Sequence, residues 1–209
     1  MSGMLGIIAA AILGVAMMFI GLFSKKTSVI RTAGIVCFLV LVGVTFYDYI
    51  SLSESGTQVF FNNMVSVSPR ASWFNLLLSG CAFVYILIFN KSISRVGKND
   101  AEYFALMLFI MVGAFMLSTY NHLLILFIGI EILSIPQYIL AGSDKENIKS
   151  NEASLKYFLM GAFSTGILLM GITLIYGHVG SFEIGKIANS FHKLSTATVT
   201  LRTIILIDQ

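Results

Sequence analysis

The sequence predicts an all-α fold: a polytopic transmembrane helix bundle with about six complete spans, the start of a seventh, and the N-terminus outside. Three observations predict it. Of the 209 residues, 57% are hydrophobic and 11% charged, with a mean hydropathy of +0.90, too little charge to cover a water-exposed surface of this size. The apolar residues fall in continuous runs of the length that crosses about 30 Å of hydrocarbon as a helix. They do not alternate with the period of two that a membrane barrel needs. Lysine and arginine, finally, collect in every second connector between the runs.

The first run is Met4 to Phe23, closed by Ser24, Lys25 and Lys26. It is uncharged, lacks a basic leading region and is too long for a signal-peptide core, so it reads as a retained span. The second is Thr32 to Tyr49, with Asp48 near its far end, where a carboxylate is expected to be solvated. Residues 51–71 break the pattern with Ser, Gly and Asn. Val65 and Val67 alternate there with Ser66 and Ser68, and Pro69 ends the stretch, which predicts an exposed loop with a short extended piece.

The third span is Ala71 to Phe89, with Trp73 at the interface and a basic connector holding Lys91, Arg95 and Lys98. The fourth is Glu102 to Tyr120, rich in Met and Phe, and Asn121 and His122 mark the turn after it. The fifth is Leu123 to Ala141. Pro136 inside it frees the carbonyl one turn back, near Ile132. A polar connector to Asn151 leads to the sixth span, Glu152 to Tyr176, where Gly161, Gly166 and Gly171 offer small surfaces for close packing. Ile184, Ile187, Ala188, Phe191 and Leu194 then recur at helical spacing, which predicts a short amphipathic helix along a surface. Thr200 to Ile207 starts a seventh span.

A net charge of +3 spread over connectors gives no reason to expect nucleic acid as a partner. The connectors after the first, third and fifth spans hold most of the cations, which puts them in the cytoplasm. Cys37 and Cys81 sit in apolar runs without ligand spacing and read as small buried side chains. His122 has no second ligand near it in sequence and reads as interfacial.

The chemistry is expected at Glu131, one carboxylate near the middle of the fifth run. An acid at that depth costs roughly 2.5 to 3.5 kcal/mol on insertion scales, so it must face protein or a hydrated path. Lys156, opening the sixth run, is the nearest opposite charge on a neighbouring segment. Counting rise per residue, Glu131 lies roughly 15 Å and Lys156 roughly 8 Å below the cytoplasmic surface, so the two are neighbours without being stacked. Two structural readings compete with a proton relay. Glu131 can be a protonated carboxyl bonding helices together, and Lys156 can snorkel to the interface.

The segment EYFALMLFIMVGAFMLSTYNHLLILFIGIEILSIPQYILAG, followed by NEASLKYFLMGAFSTGILLMGITLIYGHVGSFE, resembles the antiporter-like membrane subunits of respiratory NADH:quinone oxidoreductase, complex I. EILSIP is shared in outline with sibling subunits and with cation/proton antiporter subunits, while ASLKYFLMGAFS points more narrowly to the subunit N type, equivalent to mitochondrial subunit 2. The likeness is strong over 102–183 and rests mainly on span placement over 1–101. It implies two parts: N-terminal helices 1 to 3 in residues 1–101, and the first part of an antiporter-like repeat in 102–209.

The resemblance further implies a proton-translocating subunit of the inner (cytoplasmic) membrane without redox centres or cofactors of its own. Its partners are then the lipid bilayer and the other membrane-arm subunits, with quinone and NADH bound elsewhere in the complex. Glu131 and Lys156 fall on the family's proton-relay positions. Family members have about 14 helices, including a lysine in a broken seventh helix and an inverted second repeat; Arg202 does not match that lysine in context. The sequence is therefore expected to be the N-terminal part of such a subunit. A subunit of a cation/proton antiporter and a non-conducting scaffold piece are the rival functions.

Overall fold

A computed structural model describes residues 2–24, 26–93 and 100–192. After a 3-10 turn at Ser2–Met4 come α1 (Leu5–Phe23), α2 (Thr27–Ser55), a hairpin of β1 (Gln58–Phe60) and β2 (Val65–Val67), α3 (Pro69–Ile93), α4 (Asp100–Thr119), α5 (Leu123–Ala141) and α6 (Ile148–Val179). Residues 184–192 are helical, as the spacing predicts; of the expected apolar face Ile184 and Ile187 are half-buried, whereas Ala188 and Phe191 are exposed. The expected seventh span over Thr200 to Ile207, Arg202 within it, and Lys25, Arg95, Lys98, Lys193 and Leu194 lie outside the described residues.

Among the described residues, the six helices α1 to α6 are each long and apolar enough to cross a membrane. The fifth span has the bounds its apolar run predicts. α2 and α6 are longer than their runs, at 29 and 32 residues, or about 44 and 48 Å, so their ends project beyond the hydrocarbon.

α1 to α4 share one core, in which Met17, Phe38, Leu41, Ile86, Phe104, Leu108 and Phe115 are fully buried. α1 can lie deep in it because Gly6, Ala10 and Gly14 make one small face. α5 then packs on α4 through a reciprocal pair of glycines. A Cβ at Gly113 would stand 2.5 Å from the Leu133 nitrogen, and one at Gly129 would stand 3.0 Å from Leu117 Cδ2. α6 packs chiefly on α5 and leaves most of its surface uncovered by the described residues.

The ends of the bundle differ in chemistry. Arg31 at the start of α2 pairs with Asp100 at the start of α4, Nε to Oδ2 at 2.9 Å, with the aspartate side chain 3% exposed. The opposite, outer end is closed by the hairpin, in which Gln58 faces Val67 and Phe60 faces Val65. Its turn holds Phe61, Asn62 and Asn63 in the left-handed region, a conformation asparagine accepts more readily than phenylalanine. Asn121 fastens this hairpin to the bundle: its backbone N–H reaches the Met64 carbonyl at 3.0 Å and its Nδ2 the Asn63 carbonyl at 2.9 Å. Val65, Val67 and Leu52 make a small second apolar cluster beneath it.

Two expectations are corrected. Asp48 is not solvated but 5% exposed, with Oδ2 accepting the Gly6 N–H at 2.8 Å. The N-cap residue Met4 supplies no side-chain acceptor for α1, so a carboxylate from α2 takes an N–H that the first helical turn leaves unpaired. Cys81 is exposed on α3 and only Cys37 is buried, because position 81 points away from the α2 and α4 contacts.

Candidate functional site

α5 carries three faces. Gly129, Ile132 and Pro136 turn toward the rest of the bundle. Tyr138 turns toward α6, its ring edge-on to Tyr157 at 4.8 Å and to Phe158 at 6.0 Å, with its hydroxyl in the space a side chain at Gly161 would need. Glu131 is half-buried, between Ile128 and Ile135, which are both exposed. Among the described residues no hydrogen bond or ion pair engages the Glu131 carboxyl.

The helix is locally weakened beside it. Pro136 has no N–H for the Ile132 carbonyl, and Ser134 Oγ turns back on the Ile130 carbonyl at 2.7 Å. That bond belongs to the class in which a serine competes with the helical ladder and bends it.

α6 is tied to α5 at both ends. On the cytoplasmic side Ser150 Oγ donates to the Ala141 carbonyl at 2.9 Å and Ser154 Oγ to the Tyr138 carbonyl at 2.7 Å. On the outer side the Leu123 N–H meets the Phe182 carbonyl at 3.0 Å and the Ile184 N–H the Asn121 carbonyl at 3.3 Å. These two bonds set the His122 and Glu183 backbones opposite each other in an antiparallel bridge, and the Phe182 ring stacks on Tyr176 at 4.2 Å.

These ties fix the register between the two site residues. Ser154 lies beside Tyr138. Lys156 is two residues further in than Ser154, and Glu131 seven further in than Tyr138, leaving an axial offset of about 7 Å. Azimuth separates them more. At about 100° per residue Lys156 stands roughly 200° around α6 from Ser154, on the side away from α5. Its side chain is 69% exposed and pairs with Glu152, one turn earlier on the same helix. The structure therefore places the two residues at neighbouring depths without bringing them together. Glu152 was not singled out as a partner, although its four-residue spacing from Lys156, acid first, is the favourable order for a helical ion pair.

Among the described residues no group of three or more His, Cys, Asp or Glu could hold a metal ion. What the arrangement offers is an isolated acid at mid-membrane depth, beside a proline defect, on a helix clamped to a partner carrying an outward-facing cation.

Residues 120–207 match the family model described as NADH:quinone oxidoreductase/Mrp antiporter, TM. NADH-quinone oxidoreductase subunit N of Trichlorobacter lovleyi is 34% identical over 192 residues, covering 91% of this chain and 39% of that protein. Subunit N of Flavobacterium johnsoniae is 39% identical over 167 residues, covering 75% of this chain and 34% of that protein. The chain thus spans less than two fifths of the length of these curated relatives. A chain of the respiratory complex I structure from Thermus thermophilus with bound aureothin superposes with a TM-score of 0.68 at 25% identity, over 86% of this chain and 38% of that one. A chain of the membrane-bound sulfane sulfur reductase, an archaeal respiratory membrane complex, superposes with a TM-score of 0.76 at 22% identity, over 89% of this chain and 39% of that one, which speaks for the fold alone.

Proposed function

Since this chain belongs to the antiporter-like membrane-subunit family that includes NADH-quinone oxidoreductase subunit N, we propose that it forms part of a proton-translocating subunit of such an oxidoreductase. It works in the inner membrane beside other membrane-arm subunits, and quinone reduction and NADH oxidation occur in other chains. The observation that carries the reading is Glu131, an acid at mid-span depth with no partner among the described residues. Left against lipid it would cost roughly 2.5 to 3.5 kcal/mol. Its open side therefore faces protein, either further helices or a neighbouring subunit, which supplies cationic or hydrated contact.

The step performed there is proton capture and release. A cation brought toward Glu131 favours the carboxylate and releases the proton; its withdrawal favours the acid and takes one up. Lys156 serves the same chain from the far side of α6. In the present arrangement it rests on Glu152, an exposed partner held by a weak, screened contact from which it is easily drawn. The redox reaction in partner subunits drives the movement.

The test is Glu131→Gln in the full-length subunit within its assembled complex. Electron transfer and assembly should persist while protons moved per electron pair fall; undiminished pumping refutes the role. The family model's mention of Mrp antiporters keeps one second reading, exchange of a monovalent cation for protons. Sodium- or potassium-dependent proton flux without any redox partner would select it.

A further inference from the structure

Glu131 is not the only carboxyl taken out of water by the bundle. Asp48 lies seven residues before the outer end of α2, about 10 Å along the helix, and is 5% exposed. Its Oδ2 caps α1 through the Gly6 N–H. Its Oδ1 is buried and has no hydrogen-bond partner among the described residues. Gly6 keeps the approach open, since a Cβ there would stand 3.5 Å from Oδ2 and 3.3 Å from Thr45 Cγ2.

Polar groups continue from Asp48 across three helices. Thr45, one turn deeper on α2, shares a 2.8 Å hydrogen bond with Ser79 of α3. Ser72 and Asn75 lie on the same face of α3 nearer the outer end, and Asn75 Oδ1 accepts from Ser118 Oγ of α4. Among the described residues, the buried polar or charged side chains are Asp48, Thr45, Ser72, Asn75, Ser79 and Thr119 here and Asp100 at the other end. The hydroxyls also bond to carbonyls of their own turns: Thr45 to Leu41, Ser79 to Leu76, Ser118 to Phe115. Among the described residues, Asp48 Oδ1 is the buried side-chain oxygen left without a hydrogen-bond partner.

We infer that Asp48 is a second proton-binding carboxyl, separate from Glu131, which exchanges its proton with water on the outer side while Oδ2 keeps its hold on α1. A proton suits the unpaired Oδ1 better than a metal cation does. A cation needs a shell of several oxygens with carboxylates to balance its charge, and among the described residues no second carboxyl is buried at this end of the bundle. A bare carboxylate oxygen without a donor is expensive in such surroundings, and a bound proton removes the charge. The elements around Asp48 add little charge of their own: α1, the hairpin and the outer ends of α3 and α4 carry no acidic or basic side chain except Arg70. Glu54 and His122 lie toward the same end of the bundle.

The test uses the full-length protein in its native assembly, reconstituted in lipid vesicles and treated with dicyclohexylcarbodiimide. That reagent enters lipid and reacts with protonated carboxyls: the O–H adds across one C=N bond, and acyl transfer to nitrogen leaves a stable N-acylurea whose mass equals the sum of the two reactants. The Asp48 peptide should carry the adduct, more of it as the outer pH is lowered, with sodium ions giving no protection and Glu131→Gln leaving the labelling unchanged. Asp48→Asn should abolish the adduct yet assemble, because the asparagine oxygen still accepts the Gly6 N–H. No adduct at any pH overturns the inference. So does protection by sodium, which would mark a cation site, and so does labelling only by a water-soluble carbodiimide, which would mark a hydrated carboxylate. Should Asp48→Asn fail to assemble, the wild-type labelling alone decides.

Discussion

Replacing Gly113 by alanine tests how α5, and with it Glu131, is positioned. The added Cβ would meet Leu133 at 2.5 Å from its nitrogen, 2.7 Å from its Cβ and 2.8 Å from its Cα. Two of those atoms are backbone, so no change of rotamer relieves the clash. Carbon atoms prefer about 3.5 to 4.0 Å, so α4 and α5 must part by about 1 Å and lose contacts along the seam, Gly129 against Leu117 included. Overpacking of this kind costs about 1 to 3 kcal/mol. Alanine recovers up to about 1 kcal/mol in helix propensity. A net loss of about 1 to 2 kcal/mol corresponds to roughly 5- to 30-fold in the equilibrium between packed and parted helices. Gly80→Ala on α3 is the control, because nothing lies within 4 Å of its added Cβ; a change within about 0.5 kcal/mol is expected. The assay is the thermal midpoint of the assembled protein, together with proton translocation per turnover. Gly113→Ala should lower both and Gly80→Ala neither. Equal behaviour of the two variants would refute the account of the α4–α5 crossing.

Other perturbations follow from the same contacts. Arg31→Met leaves Asp100 buried without its cation and should destabilise the assembly by about 2 to 4 kcal/mol, while adding Asp100→Leu should recover most of that loss; a double variant as unstable as the single would show that the pair is not the cause. Asn121→Ala removes the Nδ2 tie to the hairpin and should cost about 1 kcal/mol, read as faster hydrogen exchange at residues 58–67 with the core unchanged. Glu152→Gln breaks an exposed pair on one helix, an interaction worth about 0.3 to 0.5 kcal/mol, so the thermal midpoint should hold in both low and high salt. A large loss there would mean that another surface covers Lys156.

Run length and loop charge were enough to read the six spans and their alternation, because hydrocarbon thickness sets the one and the cost of moving cations across it the other. Helix ends were less legible. α2 begins at Thr27 and runs to Ser55, well outside its apolar run, since Ser28, Arg31 and Glu54 can continue a helix while their side chains sit in headgroup or water. Glu131 was legible for its depth, and the roughly 7 Å offset from Lys156 for its rise per residue. The facing was not, because it depends on which side of α6 the Ser150 and Ser154 ties select. The fate of Asp48 was hidden for a similar reason: its partner is an amide 42 positions earlier. Thr45, one turn before it, was the available hint that this face of α2 is polar and turned inward. The Arg31–Asp100 pair spans 69 positions and left no local trace.

The double fastening of α5 to α6 has a mechanical consequence. Bound at the Asn121–Ile184 strap and again at the Ser150–Ser154 ties, the two helices cannot splay and must travel as one paddle. The place where such a paddle yields is the rung missing at Pro136, which lies between the cytoplasmic ties and Glu131 along α5. A load on the outer strap is therefore borne least well at that rung, where α5 has one backbone hydrogen bond fewer than the unbroken helix beside it.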